Sequence, residues 1–141
     1  MKSLEERKLR ALELRAAGCS CATAVLMSFD DVTGLPEETA LSVTNGLGTG
    51  IAGTREICGA ATAMAIVEGF LHPASPKEKA KVAMDARDLI GKFSESNNGY
   101  LRCADLKSRQ INKEIRPCND LVLECVELLH NRIANAGHAA L

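Results

Sequence analysis

Apolar residues recur at three- and four-residue spacing along most of this chain, which predicts helices rather than strands. The pattern is clearest after Pro117, where the apolar positions are Leu121, Val122, Cys125, Leu129 and Ile133. No segment shows a convincing strand pattern. We therefore expect an all-α fold, a single-domain bundle of about five main helices.

Capping residues set the expected limits of these helices. Ser3 and Glu6 have the spacing of a capping box, so the first helix should run from Leu4 to about Ala17. Its inward face would carry Leu9, Leu12 and Ala16, while Arg7, Lys8 and Arg10 would be solvated.

A run of very small residues marks the expected centre of the bundle. Cys58 stands at the start of the run Gly59 to Ala63, and the helix should extend from about Ile57 to Leu71. Its second half is apolar nearly all round, which is typical of a buried helix. Because the small residues have little bulk, another backbone or a cofactor can approach Cys58 closely.

The glycine-rich segment before Cys58 contains Gly48-Thr49-Gly50-Ile51-Ala52-Gly53, which matches the dinucleotide-binding pattern G-x-G-x-x-G. That pattern has weight only after a strand and within a βαβ unit. Here a predicted helix precedes it and no second strand follows. A hinge or tight crossing that brings backbone close to Cys58 is the favoured interpretation.

Composition narrows the class of protein further. The chain has 141 residues and a formal net charge of -1, with no Trp, one Tyr and three Phe. One domain over residues 1–141 is expected, with a frayed tail at 135–141. The charge and the shortage of aromatic residues argue against nucleic-acid binding. Neither a secretory signal nor a membrane-spanning run is found, so a cytoplasmic protein without membrane insertion is expected.

Six cysteines are the main candidates for chemistry, and none forms a Cys-x-x-Cys motif. Cys21, Cys58 and Cys118 each fall in a predicted first helical turn, where a thiolate is stabilised. Cys103 lies in a short segment for which a turn of helix fits best. Cys125 is mid-helix on an apolar face, which favours simple packing. The role of Cys19 stays open between pairing with Cys21 and no role.

Other polar residues give weaker signals. The three histidines, His72, His130 and His138, form no His-x-x-x-His pair, and each is expected at the surface rather than at a metal. Arg55, three residues before Cys58, carries a guanidinium suited to holding a thiolate or an anionic substrate. A solvated loop arginine is the equal alternative.

The cysteine spacing resembles a known family. Gly18-x-x-Cys21-Ala22, Cys58-Gly59-Ala60-x-x-Ala63, Cys103 and Cys118 are similar to the pattern of the redox-active proteins with the C-GCAxxG-C-C signature. The resemblance covers about residues 18–129. Two positions depart from it: Ala63 stands where the family has glycine, and Cys19 where an aromatic residue is more usual.

The resemblance implies redox-active cysteines at four positions, Cys21, Cys58, Cys103 and Cys118. In the leading hypothesis Cys58 is the attacking thiolate and one of the other three resolves it by disulfide exchange, with no cofactor required. In the alternative, the same four thiolates bind an iron–sulfur cluster, which some related domains carry, or a transition metal. A helical interaction module with incidental cysteines is the third hypothesis.

The sequence leaves the partners open. An unidentified redox partner protein or small molecule is expected under either chemical hypothesis, and a homo-oligomer is compatible with the sequence. The substrate is not identified by any motif.

Overall fold

The computed structural model describes residues 1–136, which form helices and no strand. The eight α-helices are α1 Leu4–Ala16, α2 Cys21–Met27, α3 Asp30–Thr33, α4 Glu37–Thr44, α5 Gly59–Phe70, α6 Lys79–Ser96, α7 Cys103–Leu106 and α8 Cys118–Asn135. Single 3-10 turns cover Asn45–Leu47 and Pro76–Glu78. The all-α prediction is confirmed. Of the tail that was expected to fray, residues 137–141 lie outside the described part.

The structure has more helices than expected because some are single turns. Between Cys21 and Gly34 the chain forms two helices, and the first of them, α2, ends at Met27. The Ser28 hydroxyl donates to the carbonyl of Val25 at 2.8 Å, and the chain restarts as α3. Gly34 then ends α3 in the left-handed conformation, with φ of 66°, which glycine adopts at little cost.

Helix α5 is the centre of the bundle and packs against α2, α6 and α8. The residues Gly59, Ala60, Ala61 and Ala63 are buried on it and let α2 approach closely. The predicted small-residue central helix is therefore confirmed. It begins at Gly59 rather than near Ile57, and Cys58 is its N-cap.

The inward face of α1 differs from the prediction. Leu9 is 60% exposed and Leu12 is 37% exposed, whereas Ala11, Leu14 and Arg7 are buried. The capping box at Ser3 and Glu6 is present as predicted. The buried face of α1 is rotated relative to the predicted one because it includes the charged residue Arg7.

Arg7 is buried because every part of its guanidinium has a partner. It donates to the carbonyl of Ser28 at 2.8 Å and to Asp31 at 2.7 and 3.0 Å. Its Nε donates to His130 Nδ1 at 3.2 Å, and the guanidinium lies 4.3 Å from the ring centre of Phe29. Arg7 therefore joins α1 to α3 and α8, and the pKa of Asp31 is lowered despite its burial, through hydrogen bonds that include Arg7.

Replacing Arg7 by leucine should lower the free energy of unfolding by about 2–3 kcal/mol, since Asp31 and the Ser28 carbonyl lose a charged donor. Urea unfolding followed by circular dichroism measures the loss. Arg10→Leu, on the same helix, is the control and should change the free energy by less than about 0.5 kcal/mol. Equal losses in the two variants would contradict this account of Arg7.

A second ionic network joins α5, α6 and α8. Glu68 is fully buried, and Arg132 Nη2 donates to Glu68 Oε1 at 2.6 Å and to Asp85 Oδ2 at 3.2 Å. His72 Nε2 lies 3.0 Å from Glu68 Oε1, and its side chain is only 6% exposed. The expectation that His72 lies at the surface was therefore wrong, because Glu68 and Asp85 hold it inside.

His138 lies beyond the described residues. None of the helices in residues 1–136 has the length and apolar character needed to cross a membrane.

Candidate functional site

Four cysteines line a single cavity of about 110 Å³. They are the four that sequence analysis proposed for the site: Cys21, Cys58, Cys103 and Cys118. Cys125 is fully buried in the core, as predicted, and Cys19 is half-buried outside the cavity wall. All six cysteines are free thiols in this structure.

Each of the four cysteines lies where a helix begins. Cys21, Cys103 and Cys118 are the first residues of α2, α7 and α8, and Cys58 is the N-cap of α5. Ser20 caps α2 by accepting a hydrogen bond from the Thr23 amide at 3.2 Å. Since helix starts carry unpaired N–H groups and positive potential, these positions favour thiolates.

The loop before Cys58 holds an unusual backbone. Thr49, Ile51 and Arg55 all have positive φ, at 51°, 69° and 61°, which side chains rarely adopt. Gly50 has φ of 69°, and a Cβ there would lie 2.5 Å from both N and O of Glu56. The loop therefore folds back tightly on itself, and its geometry requires glycine at position 50. No strand precedes it in the described chain, so the context for a dinucleotide site is absent.

Two backbone contacts place Cys58 beside Cys103. The Cys58 amide donates to the carbonyl of Leu101 at 2.9 Å, and the Cys103 amide donates to the carbonyl of Glu56 at 2.8 Å. Between them, Ile57 and Arg102 form an isolated antiparallel bridge. The chain thus brings two cysteines that are 45 residues apart in sequence to one end of the bundle.

Gly59 allows Cys21 to lie against the start of α5. A Cβ at position 59 would be 3.0 Å from Cys21 Sγ and 2.9 Å from the carbonyl oxygen of Leu47. The distance to the Leu47 oxygen is too short for a carbon atom, and the distance to Cys21 Sγ requires the sulfur to move, so a larger residue here would displace both groups. Gly59, the first residue of the small-residue run, therefore leaves space for the sulfur of Cys21.

Cys21 and Cys58 differ in acidity. The pKa of Cys21 is lowered to about 6, chiefly by the hydrogen bond from Cys58 and further by the charge of Arg15, although burial opposes this. The pKa of Cys58 is raised, because it donates to Cys21, is buried and faces the negative charge of Cys21. These directions make Cys21 the more acidic of the two thiols.

The family model described as "Putative redox-active protein (C_GCAxxG_C_C)" matches residues 19–132. The chain belongs to this redox-active family. The matched span contains all four cavity cysteines and every helix except α1 and the end of α8. The chain matches no curated protein and no solved structure.

In this member of the redox-active family, Cys103 differs in acidity from Cys21. Burial raises the pKa of the Cys103 thiol, the charge of nearby Cys118 raises it further, and Arg55 and Lys107 oppose both effects. Arg55 is exposed and acts on Cys103. Of the two uses considered for Arg55, support of a thiolate is thus limited to a weak effect at Cys103.

The cavity wall also contains two cations, Arg15 and Lys107, which were not among the predicted site residues. Arg15 belongs to α1, where nothing in the local pattern distinguishes it from the other basic residues of that helix. Its Nη1 donates to the carbonyl of Cys19 at 3.0 Å, which holds the guanidinium near Cys21. Lys107 directly follows α7, in a polar segment with no pattern that points to a functional site.

The spacing of the sulfur atoms bears on whether one metal ion fits the cavity. A tetrahedral thiolate site with bonds of about 2.3 Å needs sulfurs about 3.8 Å apart. Across residues 1–136, no three cysteine sulfurs lie within 4.8 Å of one another. The four cysteines of this redox-active protein are gathered around one cavity but are not arranged as a closed single-ion site.

Proposed function

We propose that this protein carries out thiol–disulfide exchange, with Cys21 as the attacking thiolate and Cys58 as the resolving thiol. The observation that carries the proposal is geometric: Cys21 Sγ lies against the start of α5, next to Cys58 in sequence, and both cysteines line one cavity. Cys21 is half-buried at the cavity, whereas Cys58 is 7% exposed. An incoming sulfur therefore meets Cys21 first, and Cys58 lines the same cavity in a more buried position.

The reaction proceeds in two exchanges. The Cys21 thiolate attacks one sulfur of a substrate disulfide, the substrate S–S bond breaks, and one half leaves as a thiolate. Cys58 then gives its proton to the thiolate released in the first exchange and attacks Cys21 Sγ. The bond between Cys21 and the substrate breaks, the second half leaves as a thiolate, and a Cys21–Cys58 disulfide forms. The protein loses two electrons and the substrate gains them. A dithiol reductant reverses the sequence and restores both thiols.

Cys103 and Cys118 act as the second dithiol of the site in this proposal. Both are half-buried and line the same cavity as the inner pair. The influence of Cys118 on the pKa of Cys103 supports their being neighbours. Exchange with them would carry the disulfide from the inner pair to more accessible sulfurs, from which a reductant removes it.

Mass mapping tests the proposed pairing. The reduced protein is oxidised with a small disulfide, its free thiols are blocked with N-ethylmaleimide, and the peptides are analysed by mass spectrometry. We expect a Cys21–Cys58 disulfide that dithiothreitol reverses. Cys125 serves as an internal control and should be free throughout, since it is fully buried in the core. Oxidised samples in which both Cys21 and Cys58 stay free would contradict the proposal.

Anaerobic purification tests the cluster alternative directly. Four cysteines around one cavity meet the ligand count of an iron–sulfur cluster. A folded protein without visible absorption, iron or acid-labile sulfide supports the thiol proposal. Stoichiometric iron and sulfide, with charge-transfer absorption that Cys21→Ser removes, would replace it by electron transfer through a cluster.

A further inference from the structure

The wall of the cysteine cavity has an uneven charge. Its lining contains two cationic side chains, Arg15 and Lys107, and no carboxylate from any residue within 1–136. Arg15 approaches from α1 and Lys107 from the segment after α7. Both are half-buried, so their charges are less screened than charges on the open surface.

Neutral groups hold both cations. Arg15 Nε donates to the side-chain oxygen of Asn119 at 2.9 Å, and Nη1 donates to a backbone carbonyl. Lys107 Nζ donates to the carbonyl of Arg116 at 2.7 Å. These contacts fix the positions of the cations and leave their charges uncompensated, because a carbonyl dipole carries no net charge.

Several other arginines of the protein have carboxylate partners. Those with defined ionic partners are each paired with a carboxylate: Arg7 with Asp31, Arg102 with Glu56, Arg116 with Glu124 and Arg132 with Glu68. Neither cavity cation takes part in an ion pair with a carboxylate in the described part of the chain. The thiolate of Cys21 balances one of the two charges, and the other is available to a ligand.

We infer that the substrate of the site is a small anionic disulfide, held by Arg15 and Lys107 while one of its sulfurs meets Cys21. The inference rests on the thiol–disulfide function proposed above and adds the substrate's size and charge. The cavity volume of about 110 Å³ suits a molecule of a few carbon and sulfur atoms and excludes a folded chain. The same cations stabilise the thiolate that leaves, since negative charge moves onto it as the substrate S–S bond breaks.

Three disulfides of similar size and different charge test the inference. Dithiodiglycolate is a dianion, 2-hydroxyethyl disulfide is neutral and cystamine is a dication. Their second-order rates with the reduced protein are measured in a buffer of low ionic strength and again with added salt. Each rate is divided by the rate of the same disulfide with a free small thiol, so that intrinsic reactivity cancels. We expect the normalised rate of the dianion to exceed that of the dication by about tenfold or more, and added salt to reduce the ratio.

Variants identify which cations are responsible. Arg15→Met and Lys107→Met should each lower the dianion-to-neutral rate ratio several-fold. Because Arg15 also affects the acidity of Cys21, the ratio rather than the absolute rate is compared, and a change in thiolate fraction then cancels. Arg87→Met and Lys81→Met are matched controls at exposed positions on α6 and should leave the ratio unchanged.

The outcomes distinguish a failure of the anionic-substrate inference from a failure of the proposed thiol–disulfide function. If the neutral disulfide fails to oxidise Cys21, the proposed thiol–disulfide function is wrong. If the neutral disulfide reacts but the three normalised rates are equal, or the dication is preferred, the inference of an anionic substrate is overturned while the function stands. A dianion preference that survives in both cavity variants would also overturn it, because Arg15 and Lys107 would then not be its source.

Discussion

Replacing Cys58 by alanine should move the pH midpoint for alkylation of Cys21 upward by about two units from about 6. The hydrogen bond from Cys58 is the largest cause of the lowered pKa of Cys21, and alanine cannot donate one. At pH 7 most Cys21 is a thiolate in the native protein, and only a minority would be one in the variant. The rate with iodoacetamide at pH 7 should therefore fall by about fivefold or more, because only the thiolate reacts.

Cys58→Ser is the matched control for this change. A serine hydroxyl occupies nearly the same volume as the thiol and can donate the same hydrogen bond. The midpoint for Cys21 should therefore stay well below that of the alanine variant. The alkylation rate of Cys21 is followed across pH 4–10 by mass spectrometry of the labelled peptide. Equal midpoints in the native protein and both variants would show that Cys58 does not control the acidity of Cys21.

Replacing Arg132 by methionine should lower the free energy of unfolding by about 3–5 kcal/mol. Glu68 is fully buried, its Oε2 has no hydrogen-bond partner in the described structure, and Arg132 is the cation that contacts its Oε1. Removing Arg132 leaves the buried carboxylate of Glu68 with His72 as its remaining partner and without a permanent positive charge. Urea unfolding at neutral pH measures the loss.

A double variant distinguishes this charge effect from a loss of packing. Glu68→Gln removes the buried charge, so the pair Glu68→Gln and Arg132→Met should recover a large part of the stability that Arg132→Met loses. The difference between the single and double variants gives the coupling energy directly. If the double variant is as unstable as the sum of the two single ones, the two residues are not coupled and the explanation fails.

The helical character of the fold could be predicted because it depends on local signals. The apolar spacing of α8, the capping box at Ser3 and Glu6, and the small residues after Cys58 all act within a few residues of chain. The gathering of four cysteines was also within reach, since helix starts tend to meet at the ends of a bundle. These inferences needed no knowledge of which helices become neighbours.

The buried ions could not be predicted for the opposite reason. Arg7 is buried because Asp31 and His130 reach it, and His130 is 123 residues away in sequence. Arg132 and Glu68 are 64 residues apart. A charged residue whose partners are distant has the local signature of a solvated one, which is why α1 was given the wrong inward face.

The relative acidity of Cys21 and Cys58 could not be predicted from the sequence either. Both cysteines stand at helix starts, where either is a candidate thiolate by local reasoning. The pKa of Cys21 is lowered where α2 packs against the start of α5, and that packing requires that position 59 has no side chain. Only the packing of α2 against α5 contains this information.

The close approach of α2 and α5 at Gly59 would also affect the reduction potential of the Cys21–Cys58 pair. Two thiols that the fold holds at one cavity have a high effective concentration for each other, and a high effective concentration makes their disulfide harder to reduce. A larger residue at position 59 would separate the sulfurs and shift the reduction potential of the pair toward that of a stronger oxidant. Under the proposed thiol–disulfide function, the packing of α2 against α5 at Gly59 would tune the redox equilibrium of the pair.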